Sequence, residues 1–406
     1  MKEHYYFNNA GTTWPKPEVV YTTMDRFFRN YGVNPGRSGD EMAIEAERMI
    51  VETRSLLAQF FNFSGDPNRV VFTQNATDSL NIAFFGLLKA GDHVISTCIE
   101  HNSVLRPLRH LERDHGVQVT FVGCDAQGYV DPDDIRKALT PNTRLVSVNH
   151  ASNVLGSIQD LEAIGRITAE HDALLMVDTC QTAGILPIDV GALGIDILVF
   201  TGHKGLFGPM GIGGMIVADD VVLPPMRVGG TGVDSEQPFQ PEDYPYHLEA
   251  GTVCLPGIAG LNAAQKWFAE LGQQQLGHNG VSHQQACRAA LDHIYQKEKG
   301  HGDTLMSAFQ DMGGITIYGP TGNRPRVSTL SINIGDKPAD QMGEMLDADY
   351  YVSVRTGLHC APLVHEDLGT VGQKGTIRFA AGYFTDDEDI AQAIAGVKDL
   401  AEYASR

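Results

Sequence analysis

No stretch of this 406-residue chain reaches the ~18 consecutive apolar residues of a membrane-spanning helix. The opening residues, MKEHYYFNNAGTTWPKP, lack the apolar core of a secretory signal, so a cytoplasmic protein without a membrane partner is expected. Basic side chains are scarce: 30 Lys and Arg stand against 50 Asp and Glu, a formal charge of -20. That balance excludes nucleic acid as a partner, because phosphate neutralisation needs clustered Lys and Arg. The six cysteines (98, 124, 180, 254, 287 and 360) stand singly with no CxxC pair. Neither a metal centre nor a disulfide framework is indicated by such spacing. A GxGxxG after the first strand is also missing, which argues against a dinucleotide-binding dehydrogenase. No internal repeat or low-complexity segment interrupts the chain.

What is present fits an ordinary globular protein, with 42% hydrophobic residues and 44 glycines. The length suits one large unit and one smaller unit. From Val70 the pattern alternates strands with helices: VVFTQNATDSLNIAFFGLL, DHVISTCIEHNSV, VQVTFVG, TRLVSVNHASNVLGSI, ALLMVDTCQTAGILPI and IDILVFTGHKG. This βαβ rhythm predicts an α/β protein with a mainly parallel sheet. The helical pattern of 258–271 leads into a Gln-rich link. Beyond it TLSINI, YVSVRTG and TIRFAAGYF form a smaller α+β unit. Residues 15–275 are assigned to the large unit, and 1–14 with 276–406 to the small one.

Ligands of such sheets sit beyond the carboxyl ends of the strands. That edge carries Glu100, His101, Asn153, Asp178, Gln181, Thr201, His203 and Lys204. IDILVF reads as a strand buried on both faces that delivers Lys204 into a glycine-rich turn. Taken alone, each position has a plainer reading. Lys204 is an ordinary loop lysine, Asp178 caps the following helix, Asn75 to Asp78 form a simple N-cap, Arg37 of NPGRSG is a solvated loop residue, and Cys360 is a buried, inert thiol. Taken together, a lysine that can bond an aldehyde, an aspartate for a ring nitrogen, a helix N-terminus for phosphate and an imidazole are what pyridoxal-phosphate chemistry requires.

QNATDSLN, IEHNS, NHASNVLG, VDTCQTAG, FTGHKGLFGPMGIG, EAGT and RTGLHCAP, spread over nearly the whole chain, resemble the cysteine desulfurases. These belong to the class V aminotransferase superfamily of fold-type-I pyridoxal-phosphate enzymes. The resemblance implies a seven-stranded, mainly parallel sheet in the large unit. It implies that Lys204 holds the cofactor aldehyde, Asp178 pairs with the ring nitrogen and His101 stacks on the ring. Gln181 and Asn153 would contact the ring hydroxyl and its surroundings. Phosphate would be held by Thr77 with the backbone around Ala76, by Thr201 and His203, and by Thr252 from the second subunit of a homodimer. Arg378 would bind the substrate carboxylate with help from Asn153, and Arg355 lies in the same substrate-binding group. Cys360 would take sulfur from L-cysteine as a persulfide and hand it to a sulfur-acceptor protein, with His359 or Arg355 as the positive neighbour that favours its thiolate.

RTGLHCAP is similar to the second desulfurase group, which includes selenocysteine lyases, but has Leu358 where the family motif carries histidine. Gly205 reads as a one-residue insertion after the lysine, Ala76 stands where a hydroxyl residue is common, and VCLPG follows EAGT. Selenocysteine lyase, another lyase or aminotransferase of the same superfamily, and a sulfur-relay scaffold acting through a partner remain the competing readings.

Overall fold

The computed structural model describes residues 4–35 and 39–406. Arg37 lies outside the described residues. The N-terminal arm holds β1 (Tyr5–Tyr6), followed by helices α1 (Glu18–Tyr31) and α2 (Glu41–Phe60). The alternating region then runs β2 (Val70–Thr73), α3 (Ala76–Leu87), β3 (His93–Thr97), α4 (Asn102–His115), β4 (Gln118–Val122), α5 (Pro132–Ala138), β5 (Thr143–Asn149), α6 (Leu161–Ala169), β6 (Leu174–Asp178), β7 (Ile197–Thr201) and β8 (Gly213–Val217). The remainder comprises α7 (Leu255–Leu276), α8 (His283–Gln310), β9 (Ile315–Tyr318), β10 (Leu330–Ile334), α9 (Ala339–Tyr350), β11 (Val352–Ser353), β12 (Arg355–Gly357), α10 (Pro362–Asp367), β13 (Thr376–Phe379) and α11 (Asp387–Ala404).

The expected seven-stranded sheet is present, in the order β2-β8-β7-β6-β5-β3-β4. Only β8 is reversed, pairing antiparallel with both β7 and β2. Every residue of β3, β7 and β8 is buried. Burial on both faces explains why β7 (ILVFT) and β8 (GGMIV) show no alternation of polar and apolar residues. The large core joins this sheet to α2 and α7, and takes in Cys287, Ala290, Leu291 and Ile294 of α8. Leu305, Met306 and Phe309 at the other end of α8 belong to a separate core with β10, β13, α9 and α11. That second core faces an antiparallel sheet of order β12-β13-β10-β9.

Three expectations are corrected. The Gln-rich stretch is the last turn of α7, not a link, and that helix begins at Leu255. ITIY forms the edge strand β9, which its weakly buried pattern concealed. Chain after Asp178 makes successive turns and not the helix its sequence suggested.

The arm docks across both units. Tyr5 and Tyr6 pair in parallel with Val352 and Ser353, and Phe7 is fully buried in the second core. Thr12 Oγ1 donates to the His203 carbonyl at 3.0 Å, and Thr13 Oγ1 to the Lys204 carbonyl at 2.9 Å. Lys16 Nζ also donates to the His203 carbonyl, at 3.0 Å. The backbone of the glycine-rich turn is thus held from outside the sheet.

A buried ion pair fixes the EAGT segment. Arg54, on α2, donates to Glu249 through both terminal nitrogens, at 2.8 and 2.7 Å. Glu249 Oε1 also accepts from the Phe72 amide at 2.6 Å. Removing one member of such a pair leaves an uncompensated buried charge, at a cost of about 3–5 kcal/mol. Glu249→Ala is therefore expected to lose stability on that scale in denaturant titration, far more than a substitution at an exposed pair such as Arg29–Asp25.

Candidate active site

The carboxyl edge of the sheet opens into a cavity of about 210 Å³. Its wall includes Ala76, Thr77, His101, Asn153, Asp178, Gln181, Thr201, His203, Lys204, Arg355 and Arg378. These come from the ends of β2, β3, β5, β6 and β7 and from β12 and β13 of the second sheet. The nine named positions from Ala76 to Lys204 could only meet this way in a parallel sheet, where each strand ends at the same edge.

The local geometry follows from the sequence. Asn75 caps α3, its side chain accepting the Asp78 amide at 3.0 Å. The capping bond is compatible with an anion at the same turn, because the amides of Ala76 and Thr77 have no intrahelical acceptor. Gly213 brings β8 close to that turn: a Cβ there would lie 2.8 Å from the Asn75 Cα. Asp178 ends β6 and accepts the Cys180 amide at 2.9 Å. It too combines a turn-capping bond with a place in the wall. Gly205 packs on the backbone of Gly184, where φ is 88°, so neither position has room for a side chain.

His101 Nδ1 meets Ser103 Oγ at 2.7 Å, and that hydroxyl lies 2.8 Å from Thr77 Oγ1. Ser103 links the imidazole to the helix N-terminus. It stands within the IEHNS motif, yet nothing in spacing alone marks it. Burial, followed by the charge of Lys204, lowers the His101 pKa to about 4, so the ring is neutral at ordinary pH. His203 is likewise lowered to about 4, by burial and then by Lys204 and Lys16.

The small unit supplies the cationic side. Arg378 is fully buried and donates to the Asn153 carbonyl at 2.8 Å and to Asn8 Oδ1 at 3.0 Å. Burial and the neighbouring Arg355 both lower its pKa. Two guanidiniums this close are mutually unfavourable until an anion joins them, which suits a carboxylate. Asn8 was not among the expected site residues; its only signal was that the aromatic arm had to lie against something.

Cys360 does not line the cavity wall. It is half-buried beside it, with Arg355 donating to Sγ at 2.9 Å and the Asn102 amide donating to its carbonyl at 2.7 Å. His359 and Cys360 both have left-handed backbone, with φ of 49° and 60°. Two successive non-glycine residues in that region store strain, as is common at functional loops. His359 does not serve as the positive neighbour. Its Nε2 contacts Thr376 O at 3.1 Å and Thr376 Oγ1 at 3.0 Å, and burial holds the ring pKa well below its usual value. Arg355, in contact with Sγ, brings positive charge to the sulfur, and the buried Arg378 interacts with it as well.

Thr252 is also absent from the cavity. Within its own chain it lines a separate hollow of about 640 Å³ with Arg54, Glu249 and the 230–233 segment.

Glu100 adds a buried acid behind the wall. Its Oε1 accepts from Thr97 Oγ1 at 2.6 Å and from the Asn149 amide at 2.9 Å. Burial raises its pKa to about 8, despite those two bonds, and the charge of Asp178 adds to the rise. Because the folded value exceeds the unfolded one near 4.5, its contribution to stability is complete below pH 4.5 and lost as pH rises to about 8. The slope is up to about 1.4 kcal/mol per pH unit. Glu100→Gln cannot ionise and should flatten it. Unfolding free energies of both proteins across that window check this; parallel curves would refute it.

The wall fits pyridoxal phosphate. Thr201 Oγ1, His203 Nδ1, Asn153 Oδ1 and Arg378 Nε are buried without a partner. Buried polar atoms are rarely left so, and each marks a ligand contact waiting to be made. A phosphate suits the hydroxyl, imidazole and helix N-terminus, and the carboxylate of Asp178 suits a protonated ring nitrogen.

Comparison with known proteins gives the same reading. The aminotransferase class-V family model matches residues 5–298 and 287–392. The chain belongs to the aminotransferase class-V family, whose members are pyridoxal-phosphate enzymes. Cysteine desulfurases are among its relatives. A probable cysteine desulfurase of Methanothermobacter thermautotrophicus is 35% identical over 395 residues, covering 96% of this chain and 93% of that one. The structure is similar to the cysteine desulfurase of Thermococcus onnurineus, with a TM-score of 0.87 at 28% identity, over 99% of this chain and 95% of the other. It is also similar to CsdA of Escherichia coli, with a TM-score of 0.83 at 26% identity and the same coverage.

Proposed function

We propose that this protein is a pyridoxal-phosphate-dependent cysteine desulfurase, acting in the cytoplasm as a homodimer, that converts L-cysteine to L-alanine and passes the sulfur to an acceptor protein. The observation that carries this is the meeting of Lys204, Asp178, His101, Arg355 and Arg378 around one cavity, with the Cys360 sulfur 2.9 Å from Arg355.

In this reading Lys204 holds the cofactor aldehyde, Asp178 the ring nitrogen, His101 the ring face and Gln181 the ring hydroxyl. Thr77, the Ala76 amide, Thr201 and His203 hold the phosphate. When bound, the cofactor supplies an electron sink for bond breaking at the substrate carbons. Arg378, with Arg355 and Asn153, fixes the substrate carboxylate and so orients the Cα–H bond toward Lys204. The Lys204 amine takes up the Cα proton and returns it. Cys360, as thiolate, attacks the substrate sulfur, the carbon–sulfur bond breaks, and the Cβ is protonated to the methyl of alanine. The sum is one cysteine and one Cys360 thiol giving alanine and one Cys360 persulfide. Neutral His101 and His203 keep extra positive charge out of the wall, leaving Lys204 and the arginines as its cations.

Thr252 completes the phosphate site from a second copy of the chain, since in its own chain it faces the other hollow. Residues 15–275 form the unit that holds the cofactor, and 1–14 with 276–406 the unit that carries Cys360 and both arginines, with α8 spanning the border.

The test is the absorbance of the purified protein after addition of pyridoxal phosphate, followed by alanine and sulfide measurements with L-cysteine and L-selenocysteine. A band near ~420 nm and alanine from L-cysteine are expected. Alanine from selenocysteine alone would replace the reading by a selenocysteine lyase, and absence of the band would overturn both.

A further inference from the structure

Cysteines that stand far apart in sequence meet at the edge of the large sheet. Cys98 follows β3 directly, and its amide donates to the Val122 carbonyl at 2.9 Å. Cys124 lies two residues past the end of β4. Parallel pairing with Thr97 opposite Val122 brings the two thiols to the same end of neighbouring strands. Asp367, the last residue of α10, closes over them. The two sulfurs and a carboxylate oxygen all lie within 4.8 Å of one another, and among the described residues this is the one such group of three.

We propose that Cys98, Cys124 and Asp367 form a binding site for a thiophilic divalent cation of the zinc type, separate from the cavity around Lys204. Two thiolates and one carboxylate suit Zn²⁺, whose tetrahedral sites combine sulfur and oxygen ligands. Magnesium or calcium would require oxygen ligands throughout. Cys98 is buried at 6% exposure while Asp367 is exposed, so the sulfurs form the floor and the carboxylate the rim of the site. A tetrahedral ion would need a fourth ligand, which water can supply on the side of the exposed Asp367. Binding converts both thiols to thiolates and releases two protons for each ion.

The position gives the site a consequence. Three residues after Cys98 comes His101, and the next residue, Asn102, donates its amide to the Cys360 carbonyl at 2.7 Å. At the other side, α10 begins two residues after Cys360 and ends at Asp367. An ion held here fastens the far end of α10 to β3 and β4, on either side of the segment that carries Cys360.

The experiment uses the holoenzyme and its Cys360→Ala variant, each given Zn²⁺ or Co²⁺, desalted and analysed for metal content and for thiolate-to-cobalt absorption. One ion per chain is expected in both, because Cys360 is not a ligand. Cys124→Ser should weaken Zn²⁺ binding by more than about 100-fold, the upper end of what loss of an outer-shell partner costs. Asp367→Asn changes only an exposed side chain and keeps the fold; a weakening of about 10-fold is expected there. Unchanged binding in both variants would overturn the proposal. So would binding lost in Cys360→Ala but kept in Cys124→Ser, which places the ion on Cys360. A metal-free protein whose mass is lower by two hydrogens would assign the pair to a disulfide instead.

Discussion

Cys360→Ala should keep the cofactor band and lose alanine formation from L-cysteine by about 10³-fold or more. The cofactor contacts proposed above come from the large sheet and do not include Cys360, so binding should be untouched. What disappears, in the proposed mechanism, is the atom that receives sulfur. Arg355 would lose its partner at Sγ, yet it would still line the cavity with Arg378, where the proposal places the substrate carboxylate. A rise in KM is therefore not expected, and the loss should fall on kcat. Mass spectrometry after one turnover gives the direct readout: added sulfur on wild-type Cys360 and none on the variant. Alanine formed equally by both proteins would remove Cys360 from the nucleophile's place and favour a direct lyase route.

Lys204→Ala should be more severe in kind, because in the proposed mechanism one amine serves both to hold the cofactor and to move the Cα proton. General acid–base groups contribute about 10²–10⁴-fold on their own. Loss of turnover by at least about 10³-fold is expected, together with disappearance of the ~420 nm band on adding pyridoxal phosphate. Added small amines should restore part of the proton transfer but not the protein-bound band. The wall should survive the change, since the Lys204 carbonyl is held by Thr13 and that of His203 by Thr12 and Lys16, through backbone atoms that the substitution keeps. If the variant still supports a partner's sulfur transfer at the wild-type rate, a scaffold role takes the place of catalysis.

Much of the site was legible because strand ends are. Each run such as ALLMV or IDILVF stops at the polar residue that reaches the edge, so Asp178, Thr201 and Lys204 could be placed from sequence. Arg355 and Arg378 came with the motifs around them. Ser103 and Asn8 were not legible, since their partners, Thr77 and Arg378, are fixed by register and docking and not by spacing. The histidine beside Cys360 misled for a related reason. A sequence shows that His359 is adjacent, but not that it turns inward to Thr376 and stays neutral. The encounter of Cys98 and Cys124 was hidden in the same way by the parallel pairing of β3 with β4.

The single long helix α8 has its first half in one core and its second half in the other. A rod seated at both ends allows the two units to tilt but gives no free hinge between them. In the proposed reaction, the reach of the Cys360 thiol would therefore be set by the short tether from Gly357 to Pro362 and not by a swing of the whole small unit. Five residues of fully extended chain reach at most about 18 Å, and a looped tether much less. If Cys360 carries sulfur as proposed, an acceptor would have to bring its receiving atom inside that radius, at the mouth of the cavity, on a protruding segment.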